Sequence, residues 1–84
     1  MKVAFLPEGF EHYLEWQRLD RKSLNKLNRL IIECQRHPFD GTGKPEPLKG
    51  DYSGWWSRRI DQEHRLVYRL EGDTLFIAQC RYHY

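Results

Sequence analysis

Two arginines flank a predicted hairpin turn, an arrangement suited to binding phosphate. Arg59 lies in the segment WWSRRI and Arg65 begins RLVYRL, with the polar residues DQEH between them. Because side chains of a strand alternate between two faces, we expect Arg59 and Arg65 to converge on one face of a sheet. Two guanidinium groups there would bind phosphate oxygens bidentately, which lysine cannot do.

Proton-transfer groups accompany these arginines. An RNA strand is cleaved when its 2′-OH is deprotonated and attacks the adjacent phosphate, which requires a base, an acid for the leaving oxygen and cations for the developing charge. Glu46 and His83 are suitable types, and Tyr84 adds a ring of the kind that stacks on unpaired bases. Since a carboxyl group titrates near ~4.3 and an imidazole near ~6.5, the histidine must be kept protonated to act as the acid.

Each of these residues also has an ordinary interpretation. Arginines on an exposed sheet face are usually solvated or paired with carboxylates such as Glu63. Glu46, between two prolines, is typical of a surface acid, and His83 of a packed or solvated terminal residue. The other histidines lack the spacing of metal ligands, so the sequence predicts neither a metal site nor a cofactor.

Size and composition favour a single folded domain over residues 1–84. The chain is 39% hydrophobic, and its 14 Lys and Arg against 12 Asp and Glu give a net charge of +2, which by itself is weak support for nucleic-acid binding. It shows no apolar stretch long enough for a signal peptide or a membrane span, so we expect a cytoplasmic protein. Cys34 and Cys80 are predicted to be reduced and buried.

The N-terminal half predicts a strand and two helices. KVAFL is a strand that stops at Pro7, and a helix follows from Glu8. Asp20 offers an N-cap for a second helix that ends before Pro38. Apolar faces are predicted for both helices: Phe10, Tyr13 and Leu14 with Trp16 on the first, and Leu24, Leu27, Ile31 and Cys34 with Leu30 on the second.

The C-terminal half predicts a surface loop over residues 38–50, with a short strand around Leu48, and then a meander of strands. These strands are WWSRRI, RLVYRL and TLFIAQCRY. The fold class is therefore α+β, with two N-terminal helices packed on one face of a mostly antiparallel, twisted sheet in the order β-α-α-β-β-β, giving two layers. Arg65, Val67 and Arg69 are expected on the opposite, open face.

Strand geometry conflicts with the proposed use of the last residues. In an extended strand, His83 and Tyr84 point to opposite faces. Both can reach one substrate only if the backbone leaves extended geometry. We therefore expect the last two residues to leave the sheet and to be mobile without a ligand or partner.

Three stretches carry a family resemblance: GKPEPLK, SRRIDQEHRLVY and the terminal RYHY. With them, essentially the whole chain from YLEW onward resembles the YoeB family of the RelE superfamily. The resemblance implies the toxin of a type II toxin–antitoxin system that enters the ribosomal A site and cuts mRNA without metal. It further implies a YefM-like antitoxin, contact with the 70S ribosome and mRNA, and a homodimer.

The resemblance also implies roles for individual residues. Glu46 would be the general base and His83 the general acid. Arg65, assisted by Arg59, would stabilise the scissile phosphate, and Tyr84 would orient or stack on the substrate. Two further positions match the pattern: Lys49 as a phosphate contact and Glu63 as an acid that orients an arginine.

Two other functions remain open. One is a non-catalytic toxin of the RelE/ParE fold that inhibits a target such as DNA gyrase by binding. The set of Glu46, Arg65 and His83 argues against it, since an inhibitor does not use an acid, a base and a phosphate clamp. The other is an RNA-binding module, which predicts binding without strand scission and a steep dependence on salt.

Overall fold

The computed structural model describes residues 1–83, and Tyr84 lies outside the described residues. Two helices and a five-stranded sheet form the α+β arrangement predicted from the sequence. The elements in chain order are β1 (Lys2–Phe5), α1 (Pro7–Leu19), α2 (Arg21–Arg36), β2 (Glu46–Pro47), a 3-10 turn (Gly50–Tyr52), β3 (Trp56–Arg59), β4 (Arg65–Glu71) and β5 (Thr74–Gln79). The strand order across the sheet is β1-β5-β4-β3-β2, with β1 parallel to β5 and the other pairs antiparallel.

Asp20 separates the two helices and begins the second one, as predicted. Its carboxylate accepts hydrogen bonds from the backbone N–H groups of Lys22 and Ser23, at 3.0 and 3.3 Å, and from the Ser23 hydroxyl at 2.8 Å. These bonds, that from the Ser23 hydroxyl foremost, hold the pKa of the Asp20 carboxyl below its usual value. The single residue thus satisfies donors that the first turn of α2 cannot pair internally.

The core lies between α2 and the sheet. The predicted apolar stripe of α2 is buried except for Leu24, which is partly buried, and it packs against the helix-facing side chains of β4 and β5. The contributors are Leu27, Leu30, Ile31 and Cys34 from α2 and Leu66, Tyr68, Leu75 and Ile77 from the strands. Cys34 and Cys80 are free, buried thiols, as predicted, and desolvation raises their pKa values to about 11 and about 12.

The predicted face of α1 was wrong in part. Trp16 is buried and Tyr13 packs partly buried against the core, as predicted, but Phe10 and Leu14 are about half exposed, and the helix buries Gly9 and His12 in their place. Helix α1 runs so close to β5 that a Cβ on Gly9 would lie 2.5 Å from the carbonyl oxygen of Ile77. A search for apolar periodicity overlooks this face, because a glycine makes the approach possible and the His12 and Trp16 rings find polar partners there.

The last strand is shorter than predicted. TLFIAQCRY was expected to be extended throughout, but β5 ends at Gln79 and Tyr82 adopts a left-handed backbone conformation with φ 66°. The pairing of β4 with β5 is irregular between Val67 and Tyr68, where the ladder loses register. The chain therefore does leave extended geometry near its end, as predicted, but it does so before the last two residues.

No helix within residues 1–83 has the length and apolar character needed to cross a bilayer.

Candidate active site

Arg59 and Arg65 lie directly opposite each other in the β3–β4 hairpin, as predicted from the sequence. Cross-strand partners of an antiparallel pair project to the same face, so both guanidinium groups belong to the face away from the helices. Arg59 is exposed, whereas Arg65 is only 8% exposed. The pair therefore consists of one solvent-exposed cation and one buried cation.

The turn of the hairpin fixes the Arg65 side chain. Its Nη1 donates to the carbonyl oxygens of Asp61, at 2.8 Å, and of His64, at 3.1 Å. Asp61 in turn accepts from the backbone N–H groups of Glu63 and His64 through one carboxylate oxygen. The carbonyls that orient Arg65 thus belong to a closed turn, which holds one end of the guanidinium group in a set position.

Glu46 projects from the same face of the sheet as the two arginines. It pairs with Ser57 across β2 and β3, and Ser57 lies two residues before Arg59 on the same side of its strand. Two residues along a strand span about 7 Å. The Glu46 carboxyl group is exposed and is therefore placed on the row of side chains next to the arginine pair.

The sheet face that carries these groups was expected to be open, with Val67 between Arg65 and Arg69. It is not open along its whole length. Ser57 and Val67 face each other at its centre and are only 2% and 1% exposed. On one side of them lies the Arg59–Arg65 row. On the other side the Arg69 guanidinium lies over the Trp55 ring, 5.9 Å from its centroid. Two short side chains between rows of long ones are covered by their neighbours.

Arg58 is the residue with a structural role that the sequence analysis missed. It points to the helix side of β3, is fully buried, and forms an ion pair with Glu33 at 3.2 Å. It also donates to the Tyr68 hydroxyl and to loop carbonyls, those of His37, Asp40 and Thr42. The loop that leads from α2 to Glu46 is therefore tied to the strand that carries Arg59.

The ion pair has a second anchor in this loop. The Glu33 carboxylate accepts from the backbone N–H and the hydroxyl of Thr42, at 3.2 and 3.3 Å. Hydrogen bonding from the Thr42 N–H, together with the charge of Arg58, lowers the pKa of Glu33. The sequence did contain a signal for this buried cation. In WWSRRI, the alternation of strand side chains places Arg58 on the same face as the apolar Trp56 and Ile60.

The residues after β5, which we term the terminal segment (residues 80–83), bring His83 to the hairpin. The Arg65 N–H donates to the Tyr82 carbonyl at 3.0 Å, and the Tyr82 N–H donates to His64 Nδ1 at 2.7 Å. His83 is exposed and directly follows this doubly bonded residue. The segment therefore delivers an imidazole beside the strand that carries Arg65.

The remaining predicted residues are at the periphery. Lys49 is exposed and precedes the 3-10 turn. Glu63 is exposed in the hairpin turn, where its carboxylate lies 3.6 Å from His64 Nε2. The predicted role of Tyr84 concerns a residue outside the described part of the chain. Within residues 1–83, no cluster of three or more His, Cys, Asp or Glu side chains has a geometry that could hold a metal ion.

A groove of about 500 Å³ lies elsewhere, along α2 and the loop that follows it. Its charged lining includes Lys26, Arg29, Arg36 and Glu33, and the Glu33 carboxylate is already committed to Arg58 and Thr42. This groove therefore lies apart from the acid, base and cation set, and the chemistry favours the sheet face.

Comparison with known proteins identifies the family to which this arrangement belongs. A family model described as "YoeB-like toxin of bacterial type II toxin-antitoxin system" matches residues 5–84. This chain belongs to the YoeB family. The Toxin YoeB of Streptomyces coelicolor is 56% identical over 84 residues, which is the full length of both chains. The chain is thus a YoeB-type toxin of a type II toxin–antitoxin system.

Solved YoeB structures share the fold described above. The YoeB/ParE toxin from Agrobacterium tumefaciens matches with a TM-score of 0.97 and 50% identity, covering all of both chains. YoeB from Staphylococcus aureus has been solved as a dimer and in a heterotetrameric complex with YefM. Those two match with TM-scores of 0.92 and 0.91 at 42% identity, covering 100% of this chain and 98% of theirs.

Proposed function

We propose that this YoeB-family toxin is an endoribonuclease that cuts mRNA in the A site of the ribosome by metal-independent acid–base chemistry. The supporting observation is the shared sheet face of Glu46, Arg59 and Arg65, beside the terminal segment that carries His83. This set supplies a base, a phosphate clamp and an acid, which are the groups that transesterification of RNA requires. A toxin that acts by binding alone has no use for all three.

The reaction begins when the Glu46 carboxylate takes the proton of the 2′-OH. The freed oxygen attacks the adjacent phosphorus, and the bond from phosphorus to the 5′ oxygen breaks. His83 gives its proton to that leaving oxygen, so the products are a 2′,3′-cyclic phosphate and a 5′-hydroxyl. Nothing is oxidised or reduced. Every proton and electron pair is accounted for by the RNA and these two side chains.

The cations of the face act on the charge that develops on the phosphate. Arg65 holds the non-bridging oxygens with the part of its guanidinium group that the turn carbonyls do not use, and Arg59 assists from the opposite strand. Lys49 adds a phosphate contact. Glu63 orients an arginine of this face, and Tyr84 stacks on the substrate. A preorganised donor of this kind contributes on the order of 10²–10³ to the rate.

The proposed partners follow from the same assignment. We expect binding to the 70S ribosome and mRNA, neutralisation by a YefM-like antitoxin, and a homodimer. The Staphylococcus aureus YoeB structures, a dimer and a complex with YefM, support the last two for this chain. A cytoplasmic location is consistent with the ribosome, the mRNA and the antitoxin as partners.

The test is to incubate the purified toxin with programmed ribosomes and to map mRNA ends by primer extension, with naked RNA in parallel. We expect new ends in the A-site codon only when ribosomes are present. A single 2′-deoxynucleotide at the cut position should abolish cleavage, because the nucleophile is then missing. Cleavage that persists on the deoxy substrate, or that occurs only on naked RNA, would contradict the proposal.

Variants and pH test the assigned roles. Glu46→Gln should lower the single-turnover rate by about 10²–10⁴, the range for loss of a general base. Glu11→Gln, an exposed acid on α1, is the matched control and should leave the rate unchanged. The rate of the wild-type protein should follow a bell-shaped pH profile, since one group must be charged as a base and the other protonated. A flat profile between about pH 5 and 9 would remove the Glu46–His83 assignment.

A further inference from the structure

The backbone of the terminal segment forms hydrogen bonds with side chains, whereas the backbone of a strand forms them with the neighbouring strand. The Cys80 N–H donates to His12 Nδ1 at 3.2 Å, and the Cys80 carbonyl accepts from Trp16 Nε1 at 2.7 Å. Two residues later, the Tyr82 N–H donates to His64 Nδ1 at 2.7 Å, and its carbonyl accepts from the Arg65 N–H. The backbone of both residues is therefore bonded on each side, from α1 and from the hairpin.

We propose that His64 and His12 form a histidine clamp, in which two neutral imidazole rings position the terminal segment and thereby place His83 beside Arg65. The clamp is a positioning device, and neither ring touches the RNA. Its consequence for catalysis rests on the proposed function. Its existence does not, because it is defined by bonds within the protein.

The accepting nitrogens fix the protonation state of the clamp. A neutral imidazole that accepts a hydrogen bond at Nδ1 carries its proton at Nε2. The Nε2 atoms of His64 and His12 lie 3.6 Å from the Glu63 carboxylate and 3.7 Å from that of Glu8, which favours a proton there. A second proton on either ring would occupy Nδ1 and would turn the acceptor into a donor that faces an N–H. The clamp therefore requires that both Nδ1 atoms remain unprotonated acceptors.

The surroundings of His64 couple the clamp to the phosphate-binding arginine. Charged groups around the ring are Glu63, Asp61, which accepts from the His64 N–H, and Arg65, whose Nη1 donates to the His64 carbonyl. One dipeptide thus bonds the terminal segment through the His64 ring and the Arg65 N–H, while it also orients the Arg65 guanidinium. A shift of the segment is expected to disturb both catalytic partners together.

The surroundings of His12 are those of a helix packed on the core. His12 is only 5% exposed, and the Glu8 carboxylate lies 3.7 Å from its Nε2. The Tyr82 ring lies edge-on to it, with centroids 5.5 Å apart. Because His12 is so deeply buried, His64 is the better position for substitutions.

Shape and hydrogen bonding can be separated at His64. Its ring lies edge-on to the Trp16 ring, with centroids 4.9 Å apart, so a phenyl ring fits the same space. His64→Phe keeps the ring and removes the acceptor. His64→Asn keeps an acceptor oxygen close to the position of Nδ1 and cannot be protonated. His37→Phe makes the same chemical change at a histidine whose side chain is 65% exposed and that lies away from the terminal segment.

The first measurement is amide hydrogen exchange by NMR at pH 8, expressed as protection factors. At pH 8 we expect the protection of the Tyr82 amide to fall at least tenfold in His64→Phe, with the β4 and β5 amides unchanged. Protection should persist in His64→Asn and His37→Phe. Equal protection of Tyr82 in the wild-type protein and His64→Phe would overturn the clamp.

The second measurement links the clamp to catalysis. On programmed ribosomes, His64→Phe should lower the maximal single-turnover rate at least tenfold without changing the ribosome concentration at half-saturation, and His64→Asn should restore it. Loss of Tyr82 protection with cleavage at the full rate would overturn the positioning role. If the wild-type toxin cleaves nothing, the proposed function fails, and hydrogen exchange still decides whether the clamp exists.

Discussion

Arg58 Nη1 lies 3.2 Å from Glu33 Oε2 on the helix side of the sheet, and the arginine side chain is fully buried. A guanidinium group so removed from water is stable only if its donors are paired, and here a carboxylate, a hydroxyl and three carbonyls pair them. The pair joins α2, the loop before Glu46 and β3. It therefore holds the loop that leads to Glu46 against the strand that carries Arg59.

Arg58→Met should destabilise the protein by about 3–5 kcal/mol, because it removes the cation that pairs with Glu33 and the donor of the loop carbonyls. For a domain of this size that is a large part of the free energy of unfolding. Urea denaturation followed by tryptophan fluorescence measures the change. Arg59→Met, one residue on and exposed, is the matched control and should alter stability by no more than about 0.5 kcal/mol. Similar losses in the free energy of unfolding for the two variants would show that the buried Arg58 network does not contribute more to stability than an exposed arginine.

Gly43 and Gly72 form a second matched pair. Both have positive φ, at 87° and 60°, but a Cβ on Gly43 would lie 2.9 Å from the Arg59 carbonyl, whereas Gly72 has open space. Gly72→Ala should cost about 1 kcal/mol from backbone strain alone. Gly43→Ala should cost at least twice as much, since the loop must also move away from β3. Chemical denaturation of both variants checks this, and equal costs would contradict the close packing of the loop.

Arg65→Lys should remain folded and yet lose cleavage. A lysine ammonium has three donors at one point and cannot bond both turn carbonyls while it also holds two phosphate oxygens. We expect the rate at saturating ribosomes to fall by about 10²–10³. Arg69→Lys, at an exposed position on the same face, is the control and should have little effect on the rate. Cleavage by the Arg65→Lys variant at the wild-type rate would reduce the role of Arg65 to its charge.

The buried thiols predict a loss of stability in alkali. Burial raises the pKa of Cys34 to about 11 and that of Cys80 to about 12, above the ordinary value of 9.0. The native state then binds more protons than the unfolded state above pH 9, so the free energy of unfolding falls as pH rises from 9 toward 11, by an amount on the order of a few kcal/mol. Thermal melts between pH 7 and 11 measure it. Cys34→Ala should be less stable at pH 7 but show a shallower decline, and an unchanged decline would exclude the Cys34 thiol as a source.

Much of the fold was predictable because local signals agreed with it. The Asp20 cap, the stripe of α2 and the hairpin between Arg59 and Arg65 all follow from short-range patterns. The face of α1 was not predictable in this way. It depends on the approach of Gly9 to the backbone of β5, which is a contact between residues far apart in the chain.

The candidate site was predictable only in part for the same reason. Period two placed Arg59 and Arg65 on one face, and that holds in the structure. It could not show that Arg65 is fixed by turn carbonyls, nor that Ser57 and Val67 are covered. Both depend on neighbours brought together by the sheet. The left-handed residue Tyr82 breaks the alternation on which the interpretation of the last residues relied.

The parallel pairing of β1 with β5 has a consequence for synthesis. Lys2 to Phe5 align with Thr74 to Ile77, so β1 has no partner strand until β5 has been synthesised. Contacts across so long a separation are slow to form and are made late. A growing chain that has not yet reached β5 lacks the strand that pairs with β1 and packs against α1, and it lacks the segment that carries His83. We therefore expect the toxin to acquire its proposed activity in one step, once β5 and the terminal segment have been synthesised.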